Sequence, residues 1–140
     1  MIMINKFRGK YYFLSNFYEA DVEYDGITYN NNEAAFQAQK VLDDSRKLRF
    51  KDLNPRRAKQ LGRRVKLRSD WEKVKDTYMY EICKAKFSQN PKLAKKLLAT
   101  GDEELVEGNK WNDTYWGVCN GRGKNKLGKI LMKVRKELRG

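Results

Sequence analysis

Four residues have types that do chemistry and a spacing that would gather them: Glu33, Phe36, Gln37 and Lys40. Their offsets of three, four and seven put them on one face if the segment is helical. That face mixes an acid, an amide, an amine and one ring, whereas a core face would be uniformly apolar, so the mixture describes a lined cleft. Two plainer explanations stand beside it. Asn30 followed three residues later by Glu33 has the capping-box spacing, in which Glu33 would only close a helix start. Lys40 could be a solvated surface lysine.

A second cluster is the decapeptide GNKWNDTYWG, Gly108–Gly117. Trp111, Tyr115 and Trp116 could be core anchors, with Asn109, Asn112 and Asp113 shaping turns. The functional alternative is that the rings stack a flat heterocycle beside the Asp113 carboxylate, which suits a nucleoside-like ligand. Breaking a nucleoside N-glycosidic bond passes through an oxocarbenium-like sugar. It calls for a carboxylate to stabilise positive charge or activate water, and an acid for the departing base. The aromatic stretch FLSNFY, Phe13–Tyr18, is open in the same way: Ser15 and Asn16 could hydrogen-bond a ligand, or cap a turn between Phe13 and Phe17.

The chain has no histidine, so any general acid or base is a carboxylate, Lys, Tyr or Cys. His-based triads and His-dependent zinc sites are excluded. Cys83 and Cys119 form neither a disulfide framework nor a metal-ligand spacing. No metal and no cofactor is expected, and the chemistry above needs none.

Charge points to the partner. Thirty-one Lys+Arg against 18 Asp+Glu give a net +13, which attracts polyanions or phosphorylated ligands. A generic lysine-rich surface would give the same total. The excess is concentrated, however. Arg56–Arg68 contains no acid, and Arg122–Arg139 carries eight basic residues and one acid, Glu137.

The elements that must position these residues follow from length and pattern. At 140 residues a single domain spanning 1–140 is expected, with no internal repeat or low-complexity linker. No apolar run approaches the ~20 residues of a membrane-spanning helix. The apolar stretch in the start, MIMINKFRGK, is too short for a signal peptide, so a cytosolic protein with no membrane partner is expected. KYYFLSNFY reads as extended, and ADVEYDGITYN as two short strands around an Asp25-Gly26 turn. Helical patterns follow. One covers NNNEAAFQAQKVL, one starts at Asn54-Pro55, one at a Ser69–Glu72 capping box and one at Asn90-Pro91. ELVEG, Glu104–Gly108, reads as a strand. A closing helix, Lys124–Leu138, would bury Leu127, Ile130, Leu131, Val134 and Leu138 and show a basic outer face. The fold class is therefore α+β and helix-rich, with a few short N-terminal and central strands.

Taken in order, the segments resemble a known family. "F-x-G-x-Y-x-FLSNFY", "VEYDGITY", "E-x-x-FQ-x-x-K", "AKFSQNP…LLATGDEELVEGN-x-W-x-D-x-x-WG" and "LGK-x-LM-x-VR-x-EL" together are similar to the NADAR, or YbiA-like, family over Phe7–Leu138. The resemblance implies a single α+β domain with N-glycosidase activity. The substrate is either the ribosylamino-pyrimidine phosphates of early riboflavin synthesis or, in other members, ADP-ribosylated guanine in DNA or RNA. Carried over by residue, it implies Glu33, Asp113 and Lys40 as catalytic, with Trp111 and Trp116 binding substrate and Asn16 in the same pocket; Phe36 and Gln37, from the mixed helix face, are expected to bind substrate beside them. Glu33 would be the general acid/base and Asp113 would serve the ribose or its developing charge, two roles that could be exchanged. Lys40 would hold phosphate or a hydroxyl, or form a Schiff base with an opened sugar. The tryptophans would wall the pocket, and cations of the two basic segments would bind phosphate. One departure is visible: family sequences usually read Glu-His before AFQ, and here Ala34 follows Glu33. A non-catalytic module binding ADP-ribose or NAD is the rival class.

Overall fold

A computed structural model of the chain describes residues 3–140, so Met1 and Ile2 of the MIMINKFRGK start lie outside the described residues. The chain divides into two units. One is Asn16–Asn90; the other joins the segment ending at Ser15 to Pro91–Gly140.

The Asn16–Asn90 unit begins with the expected hairpin. Strands β1 (Val22–Tyr24) and β2 (Ile27–Tyr29) pair antiparallel, Val22 opposite Tyr29. Asp25 at φ 52° and Gly26 at φ 87° supply the two left-handed residues that a tight hairpin turn requires. Helix α1 (Asn32–Ala38) follows, then α2 (Asp44–Lys47), which runs into a short 3-10 turn, Leu48–Phe50. Next come α3 (Pro55–Gly62), capped by the Asn54 side chain on Arg57 N–H, and the long α4 (Trp71–Gln89). Helix α1 is the centre of this unit: all seven of its residues are buried, and it packs against α3, α4, both strands and the Leu48–Phe50 turn. Val22, Tyr29, Phe50, Ala58, Trp71, Ile82 and Phe87 build the surrounding core.

The other unit holds a 3-10 helix, Gly9–Leu14, then α5 (Pro91–Ala99) and α6 (Lys126–Leu138), which pack together. Leu93 and Leu97 of α5 are buried, as are Leu127, Leu131 and Val134 of α6. The helix-rich α+β class holds. Among the described residues, no helix is long and apolar enough to cross a membrane.

Several expectations are corrected. The KYYFLSNFY stretch is not extended: its first residues lie in the 3-10 helix that ends at Leu14. ELVEG forms no strand; Leu105 makes one isolated bridge to Ile4, and Gly108 one to Val118. The cap of α1 is Asn31, not Asn30: the Asn31 side chain accepts from Ala34 N–H, so Glu33 sits one position too early to close a capping box. At Ser69–Glu72 no capping box forms either: α4 starts at Trp71, so Asp70 and not Ser69 holds the cap position, and the Asp70 carboxylate is taken by Arg68 Nε and Nη2 at 2.7 and 3.2 Å. Helix α6 starts two residues late, since Asn125 is left-handed (φ 52°) and its side chain bridges Leu105 O and Glu107 N. Its outer face is not wholly basic, because Arg135 is buried and donates to Thr100 Oγ1 at 2.8 Å.

Candidate active site

The mixed face of α1 exists as an assembled group. The N-terminus of α1 leaves N–H groups without partners inside the helix. The Asn31 side chain takes that of Ala34, and the Asn16 carbonyl takes that of Glu33 at 3.0 Å. Asn16 is itself buried. Its Oδ1 accepts from Asn32 Nδ2 at 3.2 Å, and its Nδ2 points at Met79 Sδ at 3.1 Å. Asn16 therefore acts here as a scaffold for the start of α1, a role the sequence did not suggest.

Glu33 is buried, and its Oε2 accepts from Gln37 Nε2 at 2.6 Å, one helical turn along. A buried carboxylate needs such donors, because leaving it unpartnered in low dielectric is costly. Phe36 packs on Trp71, ring centroids 5.2 Å apart. Lys40, just beyond α1, is half-buried; its Nζ reaches Gly62 O at 3.4 Å and lies 6.0 Å from the Trp71 ring centre. Arg68 N–H on Lys40 O, at 2.9 Å, fixes the backbone there. Burial pushes the Lys40 amine below its ordinary pKa. The negative charge of Glu33 opposes the shift, while Arg63, Lys59 and Lys75 reinforce it. The structure thus brings Asn16, Glu33, Phe36, Gln37 and Lys40 together within one unit.

Trp111, Asp113 and Trp116 belong to the other unit and form a loop held by its own polar groups. Asp113 Oδ1 accepts the N–H of Tyr115 (3.1 Å) and of Trp116 (2.9 Å). Asn109 clamps the same residue from behind: Asp113 N–H donates to Asn109 Oδ1, and Asn109 Nδ2 donates to Asp113 O. Gly117 closes the loop where no side chain fits, since a Cβ there would lie 1.9 Å from Glu107 Oε2 and 2.1 Å from Glu107 O. Trp116 stands edge-on to Tyr115 at 4.8 Å, and Lys124 lies over the Tyr115 ring. Trp111 is 52% exposed, so it is not the core anchor that the sequence allowed.

Neither Gly62 nor Trp71 stands out in the sequence as part of a site. QLGRR looks like an ordinary helix end, and Trp71 like the first apolar residue of α4. Nothing local signals that both face α1. Among the remaining reactive groups, Cys83 and Cys119 are free and buried. Burial pushes the Cys83 thiol up to about 12, which removes it as a nucleophile near neutral pH. Among the described residues, no group of three or more Cys, Asp or Glu is placed to hold a metal ion.

Comparison with known proteins places the chain in a family. The NADAR domain model fits residues 4–139. The chain is 43% identical over 128 residues to N-glycosidase YbiA of Shigella flexneri, covering 89% of this chain and 79% of that protein. It is 42% identical over 132 residues to a riboflavin biosynthesis protein of Vibrio vulnificus, covering 90% of this chain but 35% of that longer protein. The NMR structure of Escherichia coli YbiA superposes with a TM-score of 0.86 at 38% identity, covering 98% of this chain and 85% of that one. The chain belongs to the NADAR domain family.

Proposed function

We propose that this N-glycosidase hydrolyses the ribose C1′–N bond of a phosphorylated, nucleoside-like small molecule of the ribosylamino-pyrimidine kind. The observation that carries the reading is the buried Glu33 carboxylate, oriented by Gln37 at 2.6 Å, with the proton-loosened Lys40 in its field. The name of the Vibrio relative, a riboflavin biosynthesis protein, agrees with such a substrate.

In the reaction, water adds to C1′, the C1′–N bond breaks, and the departing nitrogen takes a proton. Glu33 handles that proton, accepting it from water or giving it to nitrogen. Lys40 with its depressed pKa has two uses: charged, it holds a phosphate or hydroxyl; neutral, it adds to an opened sugar aldehyde. Lys59 and Arg63, whose charge bears on Lys40, supply cations for the phosphate. For Asp113, Trp111 and Trp116, which belong to the other unit, the roles rest on the family resemblance alone, which gives the ribose to Asp113 and the base to the two tryptophans.

Glu33→Gln keeps the shape and removes the charge. With one positioned acid/base group gone, turnover of ribosylamino-pyrimidine phosphate should fall about 100- to 10,000-fold. Near-wild-type turnover would end the assignment. The same assay, run beside ADP-ribosylated guanine DNA, tests the substrate. A small phosphorylated substrate gives a shallow salt dependence, and a nucleic-acid substrate a steep one. Tight ligand binding with no release of free base would instead make the protein a binding module.

A further inference from the structure

We infer that Gln37 is a positioning residue that fixes the Glu33 carboxylate, and that Gly62 of α3 is the wall that keeps it there; this rests on Glu33 being the acid/base. Gln37 and Glu33 are four residues apart on α1, and the Nε2–Oε2 distance is 2.6 Å. An ionised carboxylate only accepts hydrogen bonds, so the amide must turn its nitrogen to Glu33. Its oxygen then faces the other way. Gln37 Oε1 is buried and accepts no hydrogen bond from the described residues.

That oxygen meets Gly62. A Cβ on Gly62 would stand 1.9 Å from Gln37 Oε1 and 2.7 Å from Cδ, a clash that would force the amide to move. Gly62 has an ordinary helical backbone, so the glycine is required for space and not for an unusual φ. The carbonyl of the same residue accepts from Lys40 Nζ at 3.4 Å. One turn of α3 therefore seats both of the groups assigned to the chemistry, one through a missing side chain and one through its backbone.

A packing role alone does not account for this. Burying an amide oxygen without a donor is unfavourable, and an apolar side chain of the same length would fill the space at lower cost. The amide is explained by its bond to Glu33. Gln37 is thus placed to set where the carboxylate points and to favour its ionised form.

The test compares Gln37→Met, Gln37→Glu and Gly62→Ala, and the Gln37→Met/Gly62→Ala double variant, with Glu33→Gln as reference. Thermal unfolding is measured on each. Positioning predicts that Gln37→Met lowers kcat about 10- to 100-fold with KM nearly unchanged, the size seen when an outer hydrogen-bond partner is removed. It also moves the acid limb of the kcat profile to higher pH, because a bond favouring the carboxylate is gone. Gln37→Glu keeps the volume and moves that limb further in the same direction, since a second carboxylate opposes the first. Gly62→Ala should reproduce the kcat loss of Gln37→Met and add little in the double variant, the signature of a shared route. A raised KM with unchanged kcat and pH limb would make Gln37 a substrate contact and overturn the inference. Additive losses in the double variant would overturn the role of Gly62. If one Gln37 variant fails to fold, the other still reports the pH limb. Normal profiles in the Gln37 variants beside an inactive Glu33→Gln sink only the positioning role, whereas an active Glu33→Gln sinks the functional reading beneath it.

Discussion

Helix α1 and the decapeptide Gly108–Gly117 both drew attention in the sequence because they mix polar and aromatic residues, yet they are built by opposite means. Every residue of α1 is buried, and its setting draws on residues far along the chain as well as on its own Glu33–Gln37 bond: the Asn16 carbonyl takes Glu33 N–H, and Gly62 stands against the Gln37 amide. The decapeptide draws on near neighbours. Asn109, Asp113, Tyr115 and Trp116 bond among themselves, and Trp111 and Asn112 are exposed. A polar group inside a packed helix must be held by the tertiary structure, so its geometry is precise and costly to disturb. A loop that holds itself can lose one residue at little cost to the fold.

Two tryptophans put that contrast at its sharpest. Trp71, 6% exposed, lies between Phe36 at 5.2 Å and Tyr78 at 6.4 Å, the latter pair stacked. Trp71→Ala should cost about 3–5 kcal/mol, as large-to-small changes in cores do. Trp111→Ala, on a half-exposed ring of the loop, should stay within about 0.5 kcal/mol, as surface changes do, while weakening substrate binding. Chemical denaturation of both variants decides the matter. Equal losses would mean that the loop is as tightly packed as the helix and would dissolve the comparison.

The same contrast explains what could be read beforehand. The Asp25-Gly26 hairpin, the Asn54 cap and the Leu93/Leu97 and Leu127/Leu131/Val134 faces all follow from local rules, and all are present. The grouping of Glu33, Phe36 and Gln37 was legible as helical periodicity, while Lys40 joins them from the turn after α1, which ends earlier than the pattern suggested. Some failures were local: α4 starts at Trp71, past the expected Ser69 cap, and Arg68, two residues before Asp70, takes the carboxylate there. Others needed distant partners, as when Arg135 left the basic face of α6 for Thr100. Gly62 was illegible for the same reason: its importance lies in a clash with a side chain 25 positions earlier, which no local pattern encodes.

Lys86 extends the comparison from polar groups to charge. It is 1% exposed on α4, and its ammonium lies 5.5 Å from the Tyr18 ring centre and 5.1 Å from that of Phe87. Burial lowers its pKa to about 8, against a weaker opposing effect of Cys83. Between about pH 8 and its ordinary value of 10.5 the unfolded chain holds a proton that the folded chain does not, so this group makes stability rise with pH. Its burial costs on the order of 3 kcal/mol below pH 8, and the cost fades as pH approaches 10.5. Subtracting the stability curve of Lys86→Met from that of wild type, by denaturant titration from pH 7 to 10, should leave that rising component. A flat difference would mean that the ammonium is well solvated in the folded protein.

The smallest effect separates two roles within the decapeptide. Asp113 Oδ1 accepts two backbone N–H groups, a task that needs an oxygen but no charge. Asp113→Ala removes the acceptor and should destabilise the protein by about 1 kcal/mol, comparable to losing a helix cap. Asp113→Asn can keep Oδ1 in place, so its stability should match wild type within a few tenths of a kcal/mol. If the second carboxylate oxygen supplies charge to the ribose, Asp113→Asn should still lose at least about tenfold in kcat, because a neutral amide stabilises a developing cation poorly. Stability and activity would then part company in one variant, which a residue acting only as a turn former does not allow. An Asp113→Asn protein with full stability and full turnover would confine Asp113 to holding the loop and leave Glu33 as the only catalytic carboxylate.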